Sequence, residues 1–326
     1  TTKDYEGAVS TLCAGCGHDS ISAAIIEACF ERSVEPHRVA KLSGIGCSSK
    51  TPTYFLGRSH GFNSVHGRMP SVATGANMAN RSLLYIGVSG DGDTASIGMG
   101  QFVHAVRRNV NMVYICENNG VYGLTKGQDS ATTDVGSTSK KGEPNALEPI
   151  DLCSIALQLG ATFVANSFSG DKHQLVPIIK AAIAHKGFAF INVISPCVTF
   201  NNVPGSTKSY DYIRQHMAST NTVDYVPKAT EITADYDPGT DELVTMHDGS
   251  VINFHKLDPE LDIHSRRSAL KLIKDYKAEE KVLTGILFID EESQEIHETM
   301  NTADIPLRDL AEDKLCPGAN ALETIN

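Results

Sequence analysis

Gly87-Val88-Ser89-Gly90-Asp91-Gly92-Asp93 and Val113-Tyr114-Ile115-Cys116-Glu117-Asn118-Asn119-Gly120-Val121-Tyr122-Gly123-Leu124-Thr125 lie within residues 87–127, the stretch that decides the fold. Residues 83–89 and 111–117 are apolar runs of strand length, and about 95–108 is a helix-length segment between them. Strand, helix and strand make a βαβ unit, whose strands run parallel because a crossover joins them. Each strand ends in a loop rich in Gly, Asp and Asn. Ligands of parallel α/β sheets sit beyond the carboxyl ends of the strands. Residues 90–93 and 118–120 are therefore expected to face one crevice.

Asp91 offers that crevice a carboxylate oxygen and Asn119 an amide oxygen, and a nearby backbone carbonyl adds a third. Hard oxygen donors suit Mg²⁺, which completes its octahedron with waters and phosphate. Gly92 lets the backbone approach a phosphate closely, and the helix after Asp93 points its positive end there. A lone Gly-Asp-Gly is an ordinary turn. Here the second Asn stands thirty residues from Gly90, counted inclusively, and each motif follows an apolar strand. That pairing resembles the diphosphate and Mg²⁺ motif of thiamine-diphosphate enzymes.

Outward from this unit the alternation continues. Upstream come a helix at 21–31, a strand at 39–43 ending in Gly44-Ile45-Gly46-Cys47-Ser48-Ser49-Lys50, an irregular stretch with His60, His66 and Arg68, and a small-residue helix at 70–80. Downstream, a polar loop at 126–149 is too long for a routine connection. A helix at 151–159, a strand at 162–165, a helix at 171–185 and a strand at 188–195 follow, the last running into Pro196-Cys197. The class is α/β, a doubly wound, mostly parallel sheet. After 204 the pattern weakens. Residues 205–230 read as helix and loop, 243–246 and 251–255 as a hairpin around His247-Asp248-Gly249-Ser250, 266–279 as an amphipathic helix and 282–289 as a strand. From 291 the chain is acidic and poorly patterned, as expected of a segment draped over a partner. We divide the chain into 1–204 and a C-terminal extension, 205–326.

The 326 residues carry a net charge of −11 and are 41% hydrophobic, enough for one large α/β domain with an extension or for two domains. The acidic balance argues against nucleic acid as a partner. No apolar run reaches the roughly eighteen residues of a membrane span. Thr1-Thr2-Lys3-Asp4-Tyr5-Glu6 has no apolar signal-peptide core. Eight Cys without small-domain spacing suggest a reducing cytoplasm.

Cys13 and Cys16 form a C-x-x-C, and Cys47 and Cys197 each lie in a strand-end loop. Such loops gather on one sheet edge, so the four can converge. Four thiolates suit either a structural zinc or a [4Fe–4S] cluster. The shared edge with the diphosphate motif favours the cluster, since an electron acceptor has reason to stand beside a cofactor. Cys29, Cys116 and Cys153 lie inside regular elements and read as small buried hydrophobes. Cys316 is uninformative.

The ordered series Cys13-Ala-Gly-Cys16-Gly-His18, Gly44-Ile-Gly-Cys47-Ser, His66-Gly-Arg-Met-Pro-Ser-Val-Ala-Thr-Gly75, Gly90-Asp-Gly-Asp93, Asn118-Asn-Gly-Val-Tyr-Gly-Leu-Thr125 and Pro196-Cys197 resembles the β subunit of 2-oxoacid:ferredoxin oxidoreductases over about residues 10–200. Without ferredoxin-type Cys repeats, it is most similar to the 2-oxoglutarate type. The resemblance implies oxidative decarboxylation of a 2-oxo acid with coenzyme A, with electrons leaving through a [4Fe–4S] cluster to ferredoxin. It implies Asp91, Asn119 and the Val121 carbonyl as Mg²⁺ ligands. It implies Ile45, Gly46, Cys47, Ser48, His66, Gly92, Asp93, Gly123 and Leu124 around thiamine diphosphate, and Cys13, Cys16, Cys47 and Cys197 on the cluster. It also implies an α subunit, because the second, aminopyrimidine-binding domain and its activating Glu are missing here.

Lys50 and Lys126 flank the expected mouth, and a lysine is a compact, reorientable charge for a substrate carboxylate. The plain alternative is that each is a solvated loop residue. Leu124 between them shapes the pocket. A distal-carboxylate role for either lysine selects 2-oxoglutarate, with pyruvate or a broad 2-oxoacid range as the alternative. Of other classes, a non-redox thiamine-diphosphate decarboxylase or synthase has no need of the four Cys, and an iron–sulfur electron carrier leaves 90–93 and 118–119 without a task.

Overall fold

The computed structural model describes residues 1–138, 143–203, 206–219, 241–245, 251–255, 262–316 and 318. In chain order the elements are α1 (Gly17–Glu31), β1 (Val39–Ser43), α2 (Thr51–Tyr54), β2 (His60–Asn63), α3 (Met69–Ala79), β3 (Leu84–Gly90), α4 (Met99–Arg107), β4 (Met112–Asn118), β5 (Val121–Tyr122) and β6 (Gln128–Asp129). Then come α5 (Leu152–Gln158), β7 (Phe163–Phe168), α6 (Lys172–Ala184), β8 (Phe188–Ile194), α7 (Tyr210–His216), β9 (Met217–Ser219), β10 (Asp241–Thr245), β11 (Val251–His255), α8 (Arg266–Ala278), β12 (Val282–Ile289) and α9 (Ile296–Met300).

The strands β4 and β8 are apolar along nearly their whole length, and every residue of both is buried. Parallel strands covered by helices on both faces require that pattern. Successive side chains feed opposite faces. Tyr114 joins Phe102, Phe188 and Phe190 under α3, α4, α5 and α8, while Val113 and Ile115 join Ile21, Ile25 and Ile179 under α1 and α6. The helices start on side-chain caps where the sequence supplies them. Asp151, Asp171 and Ser265 accept the backbone N–H of Ser154, Gln174 and Ser268. Such a cap contributes about 1 kcal/mol.

The main sheet has the order β2-β1-β3-β4-β8-β7-β12-β9. The first six strands are mutually parallel; β12 joins β7 antiparallel, and β9 pairs parallel with β12. The chain steps outward from β1 to β2 and then back across to β3, so β1 and β3 flank a switch point where ligands of such sheets bind. The loops after β1, β3, β4 and β8, four adjacent strands, open on the same edge.

Three features differ from the sequence expectation. The segment after Asp93 begins earlier, as a π-helical turn at Gly92–Ile97 in which Gly98 N–H reaches the Asp93 carbonyl at 2.8 Å, and only then becomes α4. Strand β2 escapes a periodicity reading because all four of its residues are exposed on the sheet edge. The tail past 291 is anchored: His297 bonds Asn77 at 2.9 Å, and Arg81 reaches Glu295 and Asp304. The hairpin of β10 and β11 forms with the expected antiparallel pairing; its turn lies outside the described residues, as does the whole of 220–240.

Candidate functional site

At the end of β3, Asp91 is 1% exposed. Its Oδ2 accepts the hydroxyls of Ser130 at 2.5 Å and Thr132 at 2.7 Å, while Oδ1 accepts the Asn119 N–H at 3.2 Å. Burial pushes this carboxyl up, and the two hydroxyls and the Asn119 N–H oppose that. The Asn119 side-chain oxygen takes the Val121 N–H at 3.0 Å, and its carbonyl takes Asn201 at 2.8 Å. Asp91, Asn119 and the Val121 carbonyl are hard oxygen donors on adjacent strand ends, a set chemically suited to Mg²⁺.

Asp93 is held differently. Gly67 N–H donates to Oδ1 at 2.8 Å and Ser89 to Oδ2 at 2.9 Å. This carboxylate thereby fastens the 67 loop, which carries exposed His66, to the end of β3. Gly44 lies against the same carboxylate, and Ser48, buried, stands 3.0 Å from where a Cβ on Gly90 would be. Gly46 has φ +130°, a conformation open to glycine, and its carbonyl accepts both the N–H and the hydroxyl of Ser49. At Gly92 the space of a side chain is filled by the Tyr122 ring, whose hydroxyl donates to the Gly92 carbonyl at 3.0 Å. The glycine there is demanded by a protein contact.

β5 and β6 form a tight antiparallel hairpin, Val121 opposite Asp129 and Tyr122 opposite Gln128. Its tip carries Gly123, exposed Leu124 and Lys126, the last at φ +81°. A non-glycine residue in that region stores strain and occurs where surroundings impose it. A Cβ on Gly123 would lie 3.5 Å from Cys47 Sγ and 3.7 Å from Cys197 Sγ. The hairpin thus inserts between two of the thiols.

The other two arrive from the start of the chain. Cys16 N–H bonds the Cys13 carbonyl at 3.0 Å, and Gly17 N–H bonds the Pro196 carbonyl at 3.3 Å, which ties the C-x-x-C turn to the end of β8. Thr199 contacts Cys13 Sγ at 3.6 Å, and Tyr210 donates to the Gly15 carbonyl at 3.0 Å. Burial pushes the Cys16 thiol up to about 12 and raises that of Cys47, and the Cys197 sulfur adds to both shifts. Lys50, half-buried, opposes the rise at Cys47 and donates to Thr11 at 3.5 Å. Among the described residues, no three His, Cys, Asp or Glu side chains close into a single-ion cage.

Several site residues were not legible beforehand. Glu117, 0% exposed, accepts Thr51 at 2.9 Å and lies 3.4 Å from His18 Nδ1, which also meets Ser195 at 2.6 Å. Burial holds this carboxyl well above the ordinary range and pushes the imidazole down to about 4. Ser130 and Thr132 sit in what reads as a polar loop. Short hydroxyl residues in such a loop look like turn formers, so no signal distinguished them. Cys29, Cys116 and Cys153 are buried, in keeping with the bland reading.

Residues 44–193 match the family described as thiamine pyrophosphate enzyme, C-terminal TPP binding domain. The chain is 44% identical over 199 residues to the 2-oxoacid:ferredoxin oxidoreductase subunit beta of Saccharolobus solfataricus, an alignment covering 61% of this chain and 65% of that one. It is 40% identical over 190 residues to the 2-oxoglutarate synthase subunit KorB of Methanocaldococcus jannaschii, covering 58% and 70%. The matched region thus spans a little under two thirds of the Saccharolobus protein. Among solved structures, 2-oxoglutarate:ferredoxin oxidoreductase from Magnetococcus marinus with 2-oxoglutarate, coenzyme A and succinyl-CoA bound superposes with a TM-score of 0.75 at 30% identity, over 92% of this chain and 88% of that one. With the motif order, the switch-point crevice and these likenesses together, the chain belongs to the family of 2-oxoacid:ferredoxin oxidoreductase β subunits.

Proposed function

We propose that this chain is the diphosphate-binding and electron-transferring subunit of a coenzyme A-dependent 2-oxoglutarate:ferredoxin oxidoreductase that works reversibly in the cytoplasm with an α subunit. The observation that carries the proposal is the juxtaposition at four adjacent strand ends. Hard oxygen donors after β3 and β4 share one sheet edge with thiols after β1 and β8, and Gly123 packs against two of those thiols. A redox enzyme needs that arrangement; a decarboxylase without redox chemistry or a plain electron carrier needs only half of it.

In this reading Asp91, Asn119 and the Val121 carbonyl hold Mg²⁺ against the diphosphate of thiamine diphosphate, and Cys13, Cys16, Cys47 and Cys197 hold a [4Fe–4S] cluster. Thiamine diphosphate supplies the electron sink that lets a 2-oxo acid lose CO₂, and the cluster supplies one-electron transfer. The chain's own residues orient and insulate. Gly46, Ser48, Gly92 and Asp93 would shape the diphosphate cradle, with Ile45 and His66 at its edge, and the Gly123–Leu124 tip, packed against Cys47 and Cys197, would line the cofactor side of the cluster site. Lys50, beside Cys47, and Lys126, at the hairpin tip, supply charge for a substrate carboxylate. Residues 1–204 form the cofactor-binding part, and 205–326 brace it and meet the α subunit. The 2-oxoglutarate preference is supported by the likeness to a structure with that acid bound.

The test is anaerobic co-purification with the α subunit, followed by dye reduction with coenzyme A. The expected result is faster reduction with 2-oxoglutarate than with pyruvate. CO₂ release without dye reduction, from colourless protein, would replace the proposal by a non-redox thiamine enzyme. Lys50→Ala or Lys126→Ala should raise KM for 2-oxoglutarate far more than for pyruvate if that lysine meets the distal carboxylate. Equal losses assign it to the proximal carboxylate, and unchanged kinetics in both variants assign the substrate to the α subunit.

A further inference from the structure

The two oxygens of Asp91 are treated unequally, and the cause lies outside every motif identified in the sequence. Ser130 and Thr132 both aim their hydroxyls at Oδ2, at 2.5 and 2.7 Å. Oδ1 takes no side chain among the described residues, and meets the Asn119 N–H at a longer 3.2 Å. A hydroxyl has one proton to give. The Thr132 oxygen also lies 3.0 Å from Asn118 Oδ1, but the Asp91 contact is shorter and takes the proton. Both hydroxyls are at least 92% buried, with Ser130 8% and Thr132 1% exposed, so water does not compete for them.

Their position follows from the β5–β6 hairpin. It turns the chain back after Asp129, so residues 130–133 return beneath the crevice from which Asn119 and Val121 left it. Thr133 completes the fastening by donating to the Gly120 carbonyl at 2.6 Å and accepting the Ser130 N–H at 2.7 Å. One short segment therefore grips the Asp91 carboxylate of β3 and the backbone of the Asn119 loop together.

We propose that Ser130 and Thr132 are positioning residues that fix the rotation of the Asp91 carboxylate, so that it meets the divalent cation with one oxygen, Oδ1, and not with both. This rests on the assignment of Asp91 as a metal ligand. The physical consequence is selectivity. Mg²⁺ demands near-octahedral ligands at about 2.0–2.1 Å, whereas Ca²⁺ accepts one- or two-oxygen carboxylates at about 2.3–2.6 Å. A carboxylate clamped on Oδ2 suits the first ion. A carboxylate free to rotate accommodates the second.

The experiment uses the chain purified with its α subunit and freed of divalent cations by chelation. Mg²⁺ and Ca²⁺ are titrated calorimetrically in saturating thiamine diphosphate for wild type, Ser130→Ala, Thr132→Val and Thr132→Ser. Loss of an orienting partner weakens metal binding about 10- to 100-fold. The expected result is that loss for Mg²⁺ in Ser130→Ala and Thr132→Val, a smaller loss for Ca²⁺, and near-wild-type behaviour in Thr132→Ser, which keeps the hydroxyl. A general packing defect would weaken both ions alike and leave the Mg²⁺/Ca²⁺ ratio unmoved; that result overturns the inference. Wild-type Mg²⁺ affinity in both single variants overturns it too, while leaving Asp91 as a ligand. If wild type itself shows no Mg²⁺-dependent binding of thiamine diphosphate, the metal-site assignment fails first. Each single variant keeps one of the two hydroxyls on Oδ2. Melting of the metal-free proteins identifies any variant that has not folded, and the other then decides.

Discussion

The two halves of the crevice are built on opposite plans. On the carboxylate side, Asp91 and Asp93 already have protein donors on all four oxygens, and Asn119 is bonded through its N–H, its side chain and its carbonyl. On the thiol side, exposed Cys13 and half-buried Cys16, Cys47 and Cys197 are assembled from separate stretches of chain, joined by a few backbone bonds and a contact with Thr199. The first half is organised before its ligand arrives. In the proposed function the second would draw its final order from the cluster, as thiolate sites generally do because the ligands must lose protons to a metal.

The sharpest way to break this contrast is to remove single thiols. Cys13→Ser, Cys16→Ser, Cys47→Ser and Cys197→Ser should each take anaerobically purified enzyme from about four irons per chain, the content of one such cluster, to near zero. Replacing Cys29, Cys116, Cys153 or Cys316 by Ala should leave iron unchanged; zinc in place of iron would sink the cluster. Next in size, Asp91→Asn should weaken Mg²⁺-dependent retention of thiamine diphosphate at least 100-fold, about 2.7 kcal/mol, in protein whose circular dichroism shows it folded. Native affinity in that variant removes Asp91 from the metal.

Hydrogen exchange compares the halves directly. Stripping divalent cations should leave amides 118–133 protected, whereas removing iron should expose amides 10–16 and 197–203. Equal loss in both would erase the distinction. A smaller effect is expected at Asp134. Burial pushes its carboxyl up, but the Lys208 ammonium at 2.8 Å and the Thr207 N–H and hydroxyl outweigh that and hold it below the ordinary 3.8. A carboxyl depressed in the folded state stabilises at pH values above its unfolded pKa and loses that contribution as pH falls through the folded one. Asp134→Asn should therefore cost about 2 kcal/mol at pH 7, measured by denaturant melts, with the gap to wild type closing below about pH 4. The smallest change is expected from Gly123→Ala. Its Cβ would meet sulfur at 3.5 and 3.7 Å, ordinary contact distances, so iron content should hold.

The fold was legible where period and length agree. Residues 39–43 and 282–289 were read to the residue because apolar, β-branched runs end there at polar or glycine residues. β2 was not, because His60-Gly61-Phe62-Asn63 pairs by backbone alone and buries nothing. The convergence of the loops was legible because strand ends of one sheet share an edge. The grip of Ser130 and Thr132 on Asp91 was not, because contacts across 39 and 41 positions depend on how a hairpin with two-residue strands returns the chain, and composition carries no trace of it. Gly92 was read as a place for phosphate, while the atom that excludes a side chain there belongs to Tyr122.

The pairing of β12 with β7 also governs how the protein is made. The β7 edge is completed by residues 282–289, with Asn166 donating to the Leu283 carbonyl at 2.6 Å. During synthesis, Phe163–Phe168 leaves the ribosome more than a hundred residues before its neighbour. At about 5–20 residues per second the nascent chain carries that strand edge unpaired for roughly ten seconds. An open edge of this kind is a template for pairing with other chains. Ribosomes queued on one message hold many such edges close together, so Val282–Ile289 acts as the seal that closes the β7 edge against them.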